Sequence, residues 1–184
     1  MLKNLLALDI AENSKRLMKK TGKYRPCAGA MIINKYNQVW LGKRIIKSDN
    51  PKKIPLWQMP QGGIDIGEQA EEAVYREVYE ETGIENVTII YESKNWYYYD
   101  IPNDIYENPK GNFVGQKQKW FLMFFSGADN EINLIPGKNM MHHQEFSEWK
   151  WEQRDKIIEQ VIDFKRETYH KVLEEFKDYN IFSN

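Results

Sequence analysis

Cysteine is nearly absent from this chain. Cys27 is the single one in 184 residues, so no internal disulfide can form and a reducing compartment suits the protein. Nothing around Cys27 marks it as a nucleophile, and it reads as a packing residue. Long apolar runs are missing too. No segment approaches the roughly 20 residues that span a bilayer. Leu5-Leu6-Ala7-Leu8 is too short for a secretory core and is followed at once by Asp9. These absences lead us to expect a cytoplasmic protein with no membrane partner. A surplus of one charge sign is also lacking. The formal net charge of −1 excludes a generally basic nucleic-acid coat, so any RNA contact must come from local clusters. Histidine is scarce, and the adjacent His142 and His143 point apart with no third ligand spaced for zinc. They read as loop residues beside Glu145. No internal repeat or low-complexity tract is present.

What is there begins with an apolar content of 41%, enough to fill the core of one domain. The stretch Gly62 to Ile84, GGIDIGEQAEEAVYREVYEETGI, is the most informative part. It sets Gly62, Glu68, Arg76, Glu77, Glu80, Glu81 and Gly83 at fixed gaps. On a helix of 3.6 residues per turn, Glu77, Glu80 and Glu81 share one face at i, i+3 and i+4. Like charges so placed repel by about 0.2–0.5 kcal/mol per pair, and acids in the last turn also oppose the helix dipole. Gly83 supplies a left-handed C-terminal residue, which puts these acids in the final turns.

Carboxylates gathered against that penalty call for a cation. Hard oxygen donors without Cys or His pairs suit Mg²⁺, or Mn²⁺ as a substitute, and Mg²⁺ shares its shell with substrate phosphates. Arg76 can reach Glu80 at i+4 and hold that carboxylate in place. Gly62, Gly63 and Gly67 allow positive φ and a close approach of backbone to a polyphosphate. Acid-rich helices are more often solvated faces, but the seven matched positions, two of them glycines flanking the helix, set this run apart.

These residues resemble the Nudix box, with every defining position present. Tyr24-Arg25-Pro26, Trp57-Gln58-Met59-Pro60-Gln61-Gly62-Gly63, Gly115-Gln116-Lys117-Gln118-Lys119-Trp120-Phe121, Glu145-Phe146-Ser147-Glu148-Trp149-Lys150-Trp151 and Phe164-Lys165-Arg166 extend the likeness. Together they are similar to the bacterial RNA pyrophosphohydrolase and dinucleoside polyphosphate hydrolase branch. The resemblance implies an α/β fold, an α/β/α sandwich with a mixed sheet, whereas periodicity alone gives only mixed α/β. The domain is expected over residues 24–179, after an N-terminal extension 1–23 and before a tail 180–184.

The implied activity is metal-dependent hydrolysis of 5′-triphosphorylated RNA to 5′-monophosphate RNA with release of pyrophosphate, a step that initiates mRNA decay. Hydrolysis of dinucleoside polyphosphates such as diadenosine tetra- or pentaphosphate is the alternative within enzymes. A non-catalytic Nudix-fold binding module is the alternative outside them. By resemblance Glu77, Glu80, Glu81 and Glu145 hold the ions, Mg²⁺ or Mn²⁺. Arg76 supports them, and the general base is left open among Glu77, Glu80 and Glu145. Arg25, Arg44, Lys117, Lys119 and Lys165 are candidates for phosphate contact, with Lys117 and Lys119 on one strand face. Phe164 and Ile162 match positions that contact a base. Trp96 and Tyr99 either line the pocket or belong to a strand packing alternate rings inside and outside.

Strands are expected over 29–33 and 38–43 around an Asn34-Lys35-Tyr36-Asn37 turn, then over 87–91, 96–101 and 117–126. A long or broken helix is expected between Arg154 and Tyr179, with Ile157, Ile158, Val161, Phe164, Tyr169, Val172, Leu173 and Phe176 at helical spacing. Residues 47–53 read as a solvated loop whose lysines can touch phosphate, and 103–112 as a mobile loop. Residues 2–18 fit a loose amphipathic helix, docked or disordered. The Met140-Met141-His142-His143 segment departs from the threonine/serine-rich stretch of the branch.

Overall fold

A computed structural model describes residues 23–45, 57–102, 113–135 and 143–179. The expectations for residues 2–18, 47–53 and 103–112, for Met140 to His142 and for the tail lie outside the described residues. Eight strands form one sheet: β1 (Lys23–Ile33), β2 (Val39–Arg44), β3 (Trp57–Gln58), β4 (Gln61–Gly63), β5 (Val87–Glu92), β6 (Tyr97–Asp100), β7 (Phe113–Phe125) and β8 (Phe146–Glu152). The main path runs β3-β2-β1-β7-β5, with β4 added to β1, β6 to β7 and β8 to β2. The central β1–β7 pair is parallel and its neighbours pair antiparallel, so the sheet is mixed. Among the described residues no helix is long and apolar enough to cross a membrane.

Among the described residues two helices cover the sheet, α1 (Ala70–Thr82) and α2 (Asp163–Glu175). The period-2 alternation of the strands sorts side chains between them. Ala28, Ala30 and Ile32 of β1 and Phe121, Met123 and Phe125 of β7 pack with Ala73, Val74 and Val78 of α1. Met31 and Ile33 of β1 and Trp120 and Leu122 of β7 pack with Tyr169 and Val172 of α2. The result is a three-layer α/β/α sandwich. Trp120 and Phe121, buried on opposite faces, each contribute about 1.5–3 kcal/mol by leaving water.

Local signals hold where they are strong. Asn37 takes φ 60° in the β1–β2 turn, and the Asn34 side-chain oxygen accepts from the backbone N–H of Tyr36 (2.9 Å) and Gln38 (3.0 Å). Gly83 ends α1 at φ 68° and donates its N–H to the Tyr79 carbonyl at 2.8 Å. The C-terminal helix takes the broken form of the expectation: turns of 3-10 helix at Arg154–Lys156 and Ile158–Gln160 precede α2. Two corrections concern packing. Residues 146–152, where no strand was expected, form β8 and pair with β2 along its length. Of the three glycines before α1 only Gly67 has positive φ, at 88°. Gly62 and Gly63 sit in β4 for lack of room, since an added Cβ at 62 would lie 1.9 Å from a Glu77 oxygen and one at 63 would lie 2.1 Å from the Arg25 guanidinium.

Candidate active site

The box folds into an ion-pair cluster whose hub is Arg76. Its guanidinium grips Glu68 with two bonds, Nε to Oε1 at 2.7 Å and Nη2 to Oε2 at 2.8 Å. It also donates to Glu77 Oε1 at 2.8 Å, to the Gly63 carbonyl at 2.8 Å and more loosely to Glu80 Oε2 at 3.4 Å. The i+4 contact expected from spacing therefore exists, but it is the weakest of the set. Glu68, eight residues upstream in the loop, is the main partner because a fork-shaped guanidinium matches a carboxylate with two parallel bonds. Arg76 holds the Glu68 carboxyl below its ordinary value, and the acids in turn make Arg76 hold its proton more tightly. The arginine thus clamps the loop onto the helix.

The acids beyond the clamp are desolvated. Burial raises the Glu77 carboxyl despite the opposing pull of Arg76. Glu81, 8% exposed, is raised well above its ordinary value by burial first and then by the nearby charges of Glu77 and Glu145. One of its oxygens accepts the backbone N–H of Gln61 at 3.0 Å. Glu145, from the residues just before β8, pairs with Arg44 of β2 at 3.1 Å. Among the described residues no three acid, His or Cys side chains already converge closely enough to hold an ion. The donor set is nevertheless of the right kind for a hard divalent cation, which would offset the cost of burying Glu77 and Glu81 as carboxylates.

Opposite the acids, α2 brings Phe164 and Lys165. The Phe164 ring is half-buried, 5.5 Å from the Tyr99 ring, and so is not an ordinary core aromatic. Ile162 stands at the N-cap of α2, partly exposed. Lys165 is buried: its ammonium donates to Gln58 Oε1 at 3.0 Å and lies 5.7 Å from the Tyr99 ring centroid. Burial, reinforced by the Arg44 charge, pushes it down to about 7. Arg25 of β1 lies against Gly63. Cys27 is fully buried, and burial pushes its thiol up to about 11, in keeping with a packing residue.

Lys117 and Lys119 do not join this group. They share one strand face, but alternation sets it opposite Gln116, Gln118 and Trp120, toward the α1 side. Lys119 donates to the Ser93 carbonyl at 2.6 Å and pairs with Glu92 at 3.0 Å, while Lys117 stands over the Trp96 ring at 5.2 Å. Parity likewise separates Tyr99, which faces Phe164, from Tyr98, which packs on Tyr24. Sequence reasoning gave no role to Glu68, Gln58 or Gln61. The repeated glutamines of Trp57-Gln58-Met59-Pro60-Gln61 and Gly115-Gln116-Lys117-Gln118 were the available signal for the last two.

Comparison with known proteins agrees with this geometry. An RNA pyrophosphohydrolase of Wolbachia pipientis subsp. Culex pipiens (strain wPip) is 44% identical over 154 residues, covering 83% of this chain and 89% of that protein. A NUDIX hydrolase from Nitrosomonas europaea superposes with a TM-score of 0.59 at 15% identity, covering 84% of this chain and 89% of that one. A C. elegans Ap4A hydrolase binary complex superposes with a TM-score of 0.54 at 19% identity, covering 82% and 97% respectively. At such identities the two structures speak for the fold alone. The NUDIX domain model matches residues 23–176, and the chain belongs to the Nudix family.

Proposed function

We propose that this Nudix enzyme is an RNA pyrophosphohydrolase, cleaving the 5′-triphosphate of RNA between its α and β phosphates to leave a 5′-monophosphate and pyrophosphate. The observation that carries the reading is the 44% identity to a protein of that name over 83% of the chain, with the box residues assembled around Arg76. Nudix hydrolases generally use divalent metal ions. Glu77, Glu80, Glu81 and Glu145 are the residues that would hold Mg²⁺, or Mn²⁺ in its place. Such an ion supplies neutralisation of the polyphosphate and a lowered pKa for bound water.

The protein's own share is positioning and charge. Arg76 fixes Glu77 and the Gly63 backbone against each other. Arg25 and Arg44 are the candidates to supply positive charge to the phosphates, with Lys165 buried against Gln58, and Phe164 beside Tyr99 offers a flat surface for a base. Water adds to phosphorus, the phosphoanhydride bond breaks toward pyrophosphate, and one carboxylate among Glu77, Glu80 and Glu145 takes the proton. Lys117 and Lys119, which face away from Phe164 and are engaged with Trp96, Ser93 and Glu92, are left out of this assignment.

The test is to incubate the protein and a Glu80→Gln variant with 5′-triphosphorylated RNA and Mg²⁺, with diadenosine tetraphosphate in parallel, following pyrophosphate and orthophosphate. Faster pyrophosphate release from RNA, lost in the variant, is expected. Turnover confined to the dinucleotide would move the assignment to nucleotide clearance, and no variant-sensitive turnover would leave a binding module.

A further inference from the structure

Behind the acidic cluster, three glutamines join an indole and a phenol in one chain of hydrogen bonds. Its polarity is fixed from one end. The Trp120 indole can only donate, and it does so to Gln118 Oε1 at 3.1 Å. Gln118 must therefore present its amide N–H₂ the other way, where it meets Gln61 Oε1 at 3.0 Å and Gln116 Oε1 at 3.1 Å. That in turn aims Gln61 Nε2 at Gln116 Oε1 (3.3 Å) and the Tyr99 hydroxyl (3.4 Å), and Tyr99 donates to Gln116 Oε1 at 2.6 Å. No amide in the chain can be turned over without setting donor against donor or acceptor against acceptor.

Two members of the chain reach the proposed site. The backbone N–H of Gln61 donates to Glu81, and the Tyr99 ring stands against Phe164 and under Lys165. Gln118 itself is fully buried on β7, and its side chain bonds to Gln61, Gln116 and Trp120 rather than to Glu81 or Tyr99. We infer that Gln118 is a positioning residue: aligned by Trp120, it holds Gln61 and Gln116 so that the Glu81 carboxylate and the Tyr99 ring keep one orientation. The inference rests on the reading of Glu81 as a metal ligand. A buried polar network that is satisfied in one direction only is a rigid support, and supports behind metal ligands are worth about 10- to 100-fold in affinity.

The experiment reads Mn²⁺ binding by calorimetry without substrate, beside thermal midpoints, for the wild type, Gln118→Met, Gln118→Glu and Glu81→Gln. Leu173→Ala, a trim of a partly buried residue of α2 that packs against the core and has no part in the glutamine chain, controls for simple loss of stability. Gln118→Met removes the amide and Gln118→Glu keeps the acceptor for Trp120 while opposing oxygen to oxygen at Gln61. Both are expected to raise the Mn²⁺ Kd about tenfold, with the Leu173 variant unchanged. If Gln118→Met fails to fold, Gln118→Glu decides alone. A Kd within twofold of wild type in a folded Gln118 variant overturns the inference. Glu81→Gln separates the two levels: should it leave Mn²⁺ binding intact, Glu81 is no ligand and the metal assignment falls. Should it weaken binding while the Gln118 variants do not, only the positioning role falls.

Discussion

The carboxylates around Arg76 and the carboxamides around Gln118 meet at Gln61, yet they are built in opposite ways. The first group comes from one helix and the loop before it, residues 62–81, and its contacts are charged and partly exposed. The second draws on β4, β6 and β7 across sequence separations of up to 57 residues, and its contacts are neutral and buried or part-buried. In the proposed site, charge would give the acids affinity for a cation while leaving them repelling one another. Neutral amides, each with a donor and an acceptor end, add direction without adding repulsion. The comparison teaches that binding strength and placement are assigned to different side chains.

The comparison breaks most sharply if the acids are removed. Glu81→Gln keeps the shape and the acceptor for the Gln61 N–H but deletes a buried charge. Turnover of triphosphorylated RNA is expected to fall by at least about 100-fold, beyond the 10- to 100-fold typical of residues one step removed. Steady-state kinetics at saturating Mg²⁺ would show this, and a fall under tenfold would remove Glu81 from the proposed ligand set. Arg76→Lys is expected next, at about 10- to 100-fold, because an ammonium cannot replace the two bonds to Glu68 while also reaching Glu77 and Gly63. Glu68→Gln should cost less than Arg76→Lys. The reverse order would mean that Glu68 serves the substrate directly rather than through the arginine.

On the aromatic side the expected effect is smaller and of another kind. Phe164→Ala should weaken substrate binding by about 1–3 kcal/mol, the worth of one stacked base, and appear in KM with kcat little changed. Its half-buried ring predicts only modest loss of thermal stability. A fall in kcat with constant KM would instead tie the ring to the placement of the acids through Tyr99.

The shared face of Glu77, Glu80 and Glu81 was legible in the sequence because i, i+3 and i+4 become neighbours on a helix by geometry alone, whereas Glu145 came only with the resemblance. Gly83 and the Asn37 turn were legible for the same reason, each needing only its own backbone. Lys117 and Lys119 show the limit. Alternation told correctly that they share a face, but which face looks toward α2 depends on the β1–β7 register, which no local pattern carries. Lys165 was read as a candidate for phosphate contact, and only the packing of α2 on β3 shows it buried against Gln58. The strand at Phe146–Glu152 was missed because its stability lies in pairing with β2, more than 100 residues earlier.

The smallest effect sharpens the comparison from outside the site. Glu152, at the end of β8, is a carboxylate whose neighbours favour its charge: Lys150 donates to it at 2.7 Å and Gln160 at 2.8 Å, and they hold it down at about 2. Glu81 is the same residue type raised by burial. For Glu152 the folded form binds its proton less readily than the unfolded chain, whose value is near 4.5. Its contribution to stability is therefore full above about 4.5 and is lost as pH falls toward about 2. Urea unfolding of the wild type and Glu152→Gln at neutral pH and again near pH 3 should show a stability gap that narrows in acid. A gap that stays constant would mean that the carboxyl acts through its hydrogen-bond geometry alone, with its charge contributing nothing.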